Sequence, residues 1–214
     1  MFPVYTEATQ QALSNLRNPN HFQWFLVPLL AFVIYVYFTE VERQNWNIIV
    51  AGLAFYSLEW FLEICNALFL HINKHSAVWT TPNNSAYIPL IGLTIEISMM
   101  FAVAGVAFCK ILPKDKNVKI LGLPNRWFFV IANSVLCVVI EIILNWWGVL
   151  VWEYWWWNWY NPILILIIGY SLYMMFTFWI HDMPSMKKKI SIVAGVYAVD
   201  VVLLILFMGI LKWI

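Results

Sequence analysis

The stretch NIIVAGLAFYSLEWFLEICNALFL, residues 47–70, decides the fold class of this protein. It is longer than the about 20 residues that a helix with a rise of 1.5 Å per residue needs to cross a hydrocarbon core of about 30 Å. Its only charged residues are Glu59 and Glu63. A helix satisfies its own backbone hydrogen bonds, which a bilayer core requires. The stretch therefore predicts a membrane-spanning helix that carries two acids.

Five further apolar stretches predict five more spans. Of the 214 residues, 63% are hydrophobic and only 11% are charged, and the mean hydropathy is +0.77. A soluble domain of this size does not need so apolar a composition. We therefore predict an all-α polytopic membrane bundle, a single transmembrane domain over residues 1–214 with an interfacial segment at 1–20. The six predicted spans are 21–39, 47–70, 85–110, 126–151, 161–180 and 189–213.

Lysine and arginine are unevenly divided between the two sides of the six-span bundle. Nine lie on one side, namely Arg43, Lys110, Lys114, Lys116, Lys119, Arg126, Lys187, Lys188 and Lys189. Three lie on the other side, namely Arg17, Lys74 and Lys212. Because basic loops face the cytoplasm, this asymmetry predicts that both termini lie outside. Topology explains these residues, and we expect no nucleic-acid partner.

Five carboxylates fall inside the predicted spans, and a depth count places them in one layer. Counting 1.5 Å per residue from each span centre puts three within roughly 3 Å of the midplane and two about 4–7 Å toward the outer side. An ionised group at such depth costs at least ~2.5 kcal/mol. A shared polar interior is therefore expected. The three midplane acids are Glu59, Glu96 and Asp200, and the two others are Glu63 and Glu141.

Polar residues recur at helical spacing in two of the spans. Glu59, Glu63 and Asn66 stand at i, i+4 and i+7, which places them on one helix face. The fourth span carries a second stripe at four-residue steps, formed by Asn133, Cys137, Glu141 and Asn145. We expect the two stripes to face each other. The tyrosines predicted to complete the polar lining are Tyr170, Tyr173 and Tyr197.

Acids that share a low-dielectric cavity cannot all be ionised, so at least one is expected to hold its proton at neutral pH. Trp60, Trp146 and Trp147 adjoin the acidic stripes in sequence. A tryptophan face stabilises a nearby cation by ~0.5–2 kcal/mol. This combination suits the protonation of a hydrocarbon and the shelter of a carbocation. The run from Trp152 to Tyr160 is predicted to anchor the bundle in the outer aromatic belt.

Three short segments resemble a known family. Leu62-Glu63-Ile64, Gly92-Leu93-Thr94-Ile95 and Ala198-Val199-Asp200 are similar to segments of the integral-membrane terpene cyclases of fungal meroterpenoid pathways, and more distantly to the EXPERA-type sterol isomerases. The resemblance implies a helical bundle that binds an isoprenoid, with acids at Glu63 and Asp200. The chain departs from the cyclases in having six predicted spans where they have seven, and in Leu62-Glu63 where they have Trp-Glu. The stretch from Gly148 to Trp159 also resembles carotenoid hydratases.

We predict a membrane enzyme that protonates an unsaturated isoprenoid or other lipid, leading to cyclisation, isomerisation or hydration. Glu63 would be the acid, and Asp200 and Glu141 would tune it or take the proton back. Glu59 and Glu96 would complete the network. Two alternatives stay open: a proton- or cation-coupled carrier, and a structural subunit of a membrane complex.

No cofactor or metal is predicted. His71 and His75 have a metal-compatible spacing, but they fall at the outer end of the second span, and no Glu-x-x-His motif accompanies the acids. The expected partners are the membrane and a lipid or isoprenoid substrate, and the sequence is compatible with a homo-oligomer.

Overall fold

The computed structural model describes residues 5–83 and 85–214. The first four residues of the predicted interfacial segment therefore lie outside the described residues. The rest of that segment contains a short helix, Glu7–Asn15.

Seven α-helices make up most of the described chain. They are α1 (Glu7–Asn15), α2 (Leu26–Glu42), α3 (Trp46–Asn73), α4 (Ile95–Lys110), α5 (Asn125–Trp146), α6 (Leu172–Asp182) and α7 (Met186–Leu203). Two π-helical segments continue the last two helices, Ile165–Ser171 before α6 and Leu204–Ile210 after α7. The smaller elements are a 3-10 turn at Pro19–His21 and a hairpin of β1 (Lys119–Ile120) and β2 (Leu123–Pro124).

The predicted all-α membrane bundle is confirmed. Among the described residues, four helical segments are long and apolar enough to cross a membrane, namely Trp46–Asn73, Asn125–Trp146, Ile165–Asp182 and Met186–Ile210. The other two predicted spans contain α2 and α4, with 17 and 16 residues. At 1.5 Å per residue these helices are about 26 Å and about 24 Å long, which is slightly less than a hydrocarbon core.

The predicted third span, 85–110, is wrong in its first ten residues. The helix begins at Ile95, after Thr94, whose hydroxyl oxygen accepts a hydrogen bond from the Ile97 amide at 3.2 Å. This is a helix N-cap, which ends the preceding loop and starts the helix. Residues 85–94 form a largely buried loop that contains Pro89, which lacks the amide hydrogen that a helix interior needs.

The predicted fourth span, 126–151, is also too long at its end. The helix stops at Trp146, and Gly148 takes a left-handed conformation with φ of +69°. Glycine adopts this conformation at little cost, and it commonly ends helices. The residues after Gly148 then fold back over the bundle.

The helix α3 is central: it contacts α2, α4, α6 and α7. The helix α5 packs mainly on α6 and on the π-helical segment Ile165–Ser171. A space therefore separates α5 from the pair formed by α3 and α4. This space contains the candidate site.

Ion pairs close one end of the bundle, which we call the basic end. Lys110 of α4 contacts Glu40 of α2 with Nζ to Oε1 at 2.6 Å. Arg126 of α5 contacts Asp182 of α6 through two hydrogen bonds of 2.8 and 3.0 Å. The buried Lys189 of α7 donates to the His181 carbonyl at 2.7 Å. Lys189 also donates to the Asn47 side chain of α3, so charged groups at this end contact six of the seven helices.

Two loops close the opposite end, and we call them the cap: residues 74–94, without Asn84, and residues 147–162. The backbones of Thr80 and Val151 exchange two hydrogen bonds of 3.0 and 2.8 Å, which joins the two loops. The segment that contains α1 lies on the first loop, because the Arg17 amide donates to the Ile88 carbonyl at 2.9 Å. The cap is thus a paired structure rather than two separate loops.

Candidate functional site

A cavity of about 410 Å³ lies between α3 and α4 on one side and α5 and the π-helical segment on the other. Residues of both cap loops close it at one end. Its size is in the range of small-molecule sites. Most of the wall is apolar, and its aromatic members are Phe55, Phe69, Trp79, Phe101, Phe108, Trp156, Trp157, Tyr170 and Tyr173.

Three of the five predicted acids meet in this cavity: Glu59, Glu63 and Glu141. The two acids of α3 are buried, and Glu141 of α5 is only partly buried. The three carboxyl groups are near enough to interact electrostatically. Glu141 is therefore the least buried of the three acids.

Two tyrosines each hold one of these acids. The Tyr173 hydroxyl donates to Glu59 Oε2 at 2.8 Å, and the Tyr170 hydroxyl donates to Glu141 Oε1 at 2.7 Å. Tyr170 belongs to the π-helical segment, and π-helical turns often occur at functional sites. Tyr173 therefore contacts an acid of α3 and Tyr170 an acid of α5, so the two tyrosines contact both predicted polar stripes.

A tryptophan of the cap holds the third acid. The Trp79 indole Nε1 donates to Glu63 Oε1 at 2.7 Å. Glu63 Oε2 is buried and makes no hydrogen bond to any described residue, although the Asn66 amide lies close by. Each of the three acids thus receives its hydrogen bond from an aromatic side chain.

The described wall of the cavity contains no lysine or arginine. A buried carboxylate without a cationic partner is costly, because desolvation disfavours its charged form. The acids therefore need protons, a cationic ligand, or a partner from outside the chain. This property makes the cavity the candidate functional site.

Six of the predicted site residues line the cavity: Glu59, Glu63, Glu141, Asn66, Tyr170 and Tyr173. The other predicted site residues lie elsewhere: Glu96, Asp200, Trp60, Asn133, Asn145, Trp146, Trp147 and Tyr197. All three residues of the α3 stripe therefore line the cavity, whereas the α5 stripe contributes only Cys137 and Glu141.

The predicted midplane position of Glu96 is wrong. Glu96 lies in the first turn of α4, where it accepts hydrogen bonds from the Ala86 amide at 3.0 Å and from the Ser85 hydroxyl. The depth of Glu96 was counted from the centre of the predicted span 85–110. Because the helix begins only at Ile95, Glu96 lies near its start and not near its centre. Glu96 holds the first cap loop on the helix.

Asp200 is buried on α7 but does not reach the cavity. The α7 side of α3 is lined by Ile64 and Ala67, which pack near Leu203. Glu63 is adjacent to Ile64 in sequence and therefore points about 100° away from it around the helix. Glu63 and Asp200 were predicted at similar depths, but this did not place Asp200 on the side of α3 that carries Glu63.

Trp146 and Trp147, predicted to line the cation's path, do not line the cavity. They end α5 with 67% and 73% of their surface exposed. Trp60 is partly buried and packs edge-on against Tyr56, outside the cavity. Sequence adjacency to an acid did not place these rings beside it, because neighbours in a helix point in different directions.

Of the remaining three predicted residues, two make hydrogen bonds that hold the fold. The Asn145 amide donates to the Leu150 carbonyl at 2.9 Å and holds the turn after α5. The Tyr197 hydroxyl donates to the Leu53 carbonyl at 3.0 Å and ties α7 to α3. Asn133 is buried in α5 outside the cavity.

The aromatic wall comes largely from residues that sequence reasoning missed. Trp156 and Trp157 line the cavity, and Trp157 is only 5% exposed, so the predicted belt role of this run is wrong for both. Trp155 and Trp159 are exposed, as a belt requires. The only available signal was Asn158, a turn former that indicates a chain reversal within the run.

Comparison with known proteins gives the class of the chain. Residues 6–209 match a family described as an uncharacterized membrane protein family. The chain belongs to this family. It is therefore an integral membrane protein, in agreement with its four long apolar helical segments.

Two relatives come from Archaeoglobus fulgidus, each described as an uncharacterized protein. One is 49% identical over 209 residues, which cover 98% of this chain and 99% of the relative. The other is 38% identical over 53 residues, which cover 25% of this chain and 95% of that relative. No solved structure matches the chain.

For a member of a membrane protein family, exposed apolar side chains on the helices mark the surface that faces lipid. Three such side chains also line the cavity: Met100 of α4, Ile140 of α5 and Ile168 of the π-helical segment. The wall of the cavity therefore reaches the lipid-facing surface between the helices.

Proposed function

We propose that this protein is a membrane enzyme that protonates an unsaturated isoprenoid or other lipid. The observation that carries the proposal is the meeting of Glu59, Glu63 and Glu141 in an aromatic cavity whose described wall has no basic residue. Acids in such a site are expected to retain a proton, and a retained proton is what general acid catalysis needs. The aromatic faces supply stabilisation for a cation.

The geometry favours Glu141 as the acid that meets the substrate. Glu141 is the least buried of the three, and its Oε1 accepts a hydrogen bond from the Tyr170 hydroxyl. Glu59 and Glu63 line the same cavity from α3 and are buried, and each accepts a hydrogen bond from an aromatic donor. We assign them the role of keeping the proton within the cluster, with Glu63 as the second candidate for the acid.

The proposed reaction begins when a carboxylic acid gives its proton to one carbon of an alkene. A C–H bond forms from the π electrons, the neighbouring carbon becomes a cation, and the acid becomes a carboxylate. In cyclisation or isomerisation the cation later returns a proton to a carboxylate. In hydration the cation forms a bond to the oxygen of a water molecule, and that water gives one proton to a carboxylate. Each route restores the acid.

Asp200 and Glu96 have no part in this proposal, because neither lines the cavity. The resemblance to terpene cyclases implies acids at Glu63 and Asp200. The reaction proposed here is of the same type, but it does not use Asp200. The partner of Glu63 is instead Glu59, one helical turn away on the same face of α3.

The test is chromatography-resolved mass spectrometry of neutral lipids from cells that carry the wild-type chain, Glu141→Gln or Glu63→Gln. Glu42→Gln is the matched control, because Glu42 is exposed at the end of α2. The proposal expects a lipid that changes retention, or gains the mass of water, with the wild type and the control only. Identical profiles in all strains, with an isoprenoid pool present, would contradict it.

A cation- or proton-coupled carrier is the second candidate, favoured by the absence of a basic residue from the described wall. A carrier would bind its cation at the acids and release it on the other side. Proton uptake into liposomes that is lost in Glu141→Gln, without any lipid conversion, would move the assignment to this function.

A further inference from the structure

We infer that Trp79 is a positioning residue, which fixes the Glu63 carboxyl group from the cap. The role of Glu63 as an acid of the reaction rests on the proposed function. The contact between Trp79 and Glu63, and its test, do not depend on that function. Through this contact the cap reaches the acids of the candidate site.

The first observation is the geometry of the indole. Trp79 Nε1 lies 2.7 Å from Glu63 Oε1, the separation of a strong hydrogen bond. The Trp79 ring stacks on Trp157 with ring centroids 5.4 Å apart and an angle of 26° between the planes. Rings of the two cap loops therefore support each other, and one of them reaches the acid.

The second observation is that α3 anchors the backbone at Trp79. Asn66 Oδ1 accepts from the Val78 amide at 2.8 Å and from the Trp79 amide at 3.3 Å. Asn66 Nδ2 donates to the Trp79 carbonyl at 2.8 Å. Since Asn66 follows Glu63 by three residues, one turn of α3 holds both the acid and the loop residue that binds it.

The third observation is the space kept at Gly92. A Cβ atom placed there would lie 2.4 Å from Trp79 Cδ1 and 2.6 Å from Asn66 Nδ2. Both atoms belong to groups that are held in place, so neither can move without breaking a hydrogen bond. Gly92 therefore permits the arrangement of Trp79, Asn66 and Glu63, and any larger residue disturbs it.

These observations give Trp79 a defined effect on Glu63. Oε2 of the carboxyl group makes no hydrogen bond to any described residue, although the Asn66 amide lies close by, so the Trp79 indole makes the short hydrogen bond that holds the group through Oε1. Without the indole N–H this hydrogen bond is lost, and the group gains freedom to turn within the cavity that it lines. Trp79 thus controls how far Glu63 is presented to a ligand.

The test is site-resolved labelling with N,N′-dicyclohexylcarbodiimide, a hydrophobic reagent that adds to a protonated carboxyl group and rearranges to an N-acylurea with no leaving group. The purified full chain in lipid nanodiscs is labelled, digested and mapped by mass spectrometry. Trp79→Phe keeps a ring but removes the N–H. We expect Glu63 labelling to rise about fivefold, since a hydrogen bond of typical strength is lost.

Trp156→Phe is the matched control, because Trp156 lines the same cavity without bonding an acid in the described structure. Gly92→Ala is the second variant and should raise Glu63 labelling in the same direction by displacing Trp79. An equal rise of Glu63 labelling in Trp156→Phe would overturn the inference. So would unchanged Glu63 labelling in Trp79→Phe and in Gly92→Ala when both variants keep the thermal stability of the wild type. Labelling needs no turnover, so failure of the proposed function is seen separately in the lipid profiles.

Discussion

Gly105 of α4 packs directly against Gly52 of α3. A Cβ atom on Gly105 would lie 2.8 Å from the Gly52 carbonyl oxygen and 2.7 Å from Phe55 Cβ, and a Cβ atom on Gly52 would lie 2.7 Å from a methyl group of Val106. Small residues let two helix backbones approach in a membrane, where van der Waals contact replaces the hydrophobic effect as the force between helices. This contact sets how α3 presents its acids beside α4.

Replacement of Gly105 is expected to destabilise the bundle. Gly105→Leu forces the two backbones apart, and overpacking of this kind costs about 1–3 kcal/mol. Unfolding of the purified protein in a mixed detergent titration measures the loss. Gly195→Ala is the control, because no atom lies within 4 Å of a Cβ placed there and alanine favours the helix. Equal stability of the two variants would contradict the close contact.

A disulfide between Thr80→Cys and Val151→Cys is expected to form on oxidation. The two backbones exchange both hydrogen bonds, and such an antiparallel pair has Cα atoms about 5.5 Å apart, within reach of a disulfide. Mass spectrometry after alkylation detects the bond. The pair Thr81→Cys and Val151→Cys is the control, since the Thr81 side chain bonds to the Ile91 carbonyl instead. Cross-linking of the control pair alone would show that the loops pair in another register.

Loss of the Tyr173 hydroxyl is expected to destabilise the protein through Glu59. Tyr173→Phe removes the donor at 2.8 Å and leaves a buried carboxyl oxygen unpaired. An unpaired buried polar group costs about 1–3 kcal/mol. The midpoint of thermal unfolding should fall, whereas Tyr160→Phe, at an exposed residue, should leave it unchanged. A wild-type midpoint in Tyr173→Phe would refute the pairing.

Replacement of Arg126 by lysine is expected to weaken the ion pair at the basic end and to destabilise the protein. Arg126 binds both oxygens of Asp182, a two-bond geometry that a lysine ammonium does not reproduce. Arg126→Lys should therefore lower the free energy of unfolding by about 1–2 kcal/mol. Lys187→Arg, at an exposed residue, serves as the control in the same denaturation assay. An unaffected Arg126→Lys variant would show that charge alone suffices.

The predicted orientation places the hairpin in the cytoplasm and α1 outside. Leu121, at the tip of the hairpin, is 89% exposed, and Gln10 is exposed on α1. A membrane-impermeant maleimide added to intact cells should label Gln10→Cys and spare Leu121→Cys, with the three native cysteines replaced. The reverse pattern would place both termini in the cytoplasm and invert the bundle.

The sequence by itself determined the fold class and the centre of the site. Apolar length requires helices in a bilayer, and helical periodicity aligns Glu59, Glu63 and Asn66 on one face, since both properties depend only on neighbours along the chain. The facing acid Glu141 followed from the same periodicity in α5. Tyr170 was predicted only as part of the polar lining, and its pairing with Glu141 was not predicted, because it depends on the π-helical turn and on the packing of two helices.

Only the tertiary structure decided which residues complete the cavity and which stay outside it. Depth along a helix says nothing about the direction of a side chain around it. Asp200 was predicted at the level of the acids, but it does not line the cavity. The cap depends on contacts between distant segments, such as the pair Thr80 and Val151, and no local pattern encodes them. Trp79 reaches Glu63 because folding brings the loop back onto the helix, with Gly92 leaving the space that this return requires.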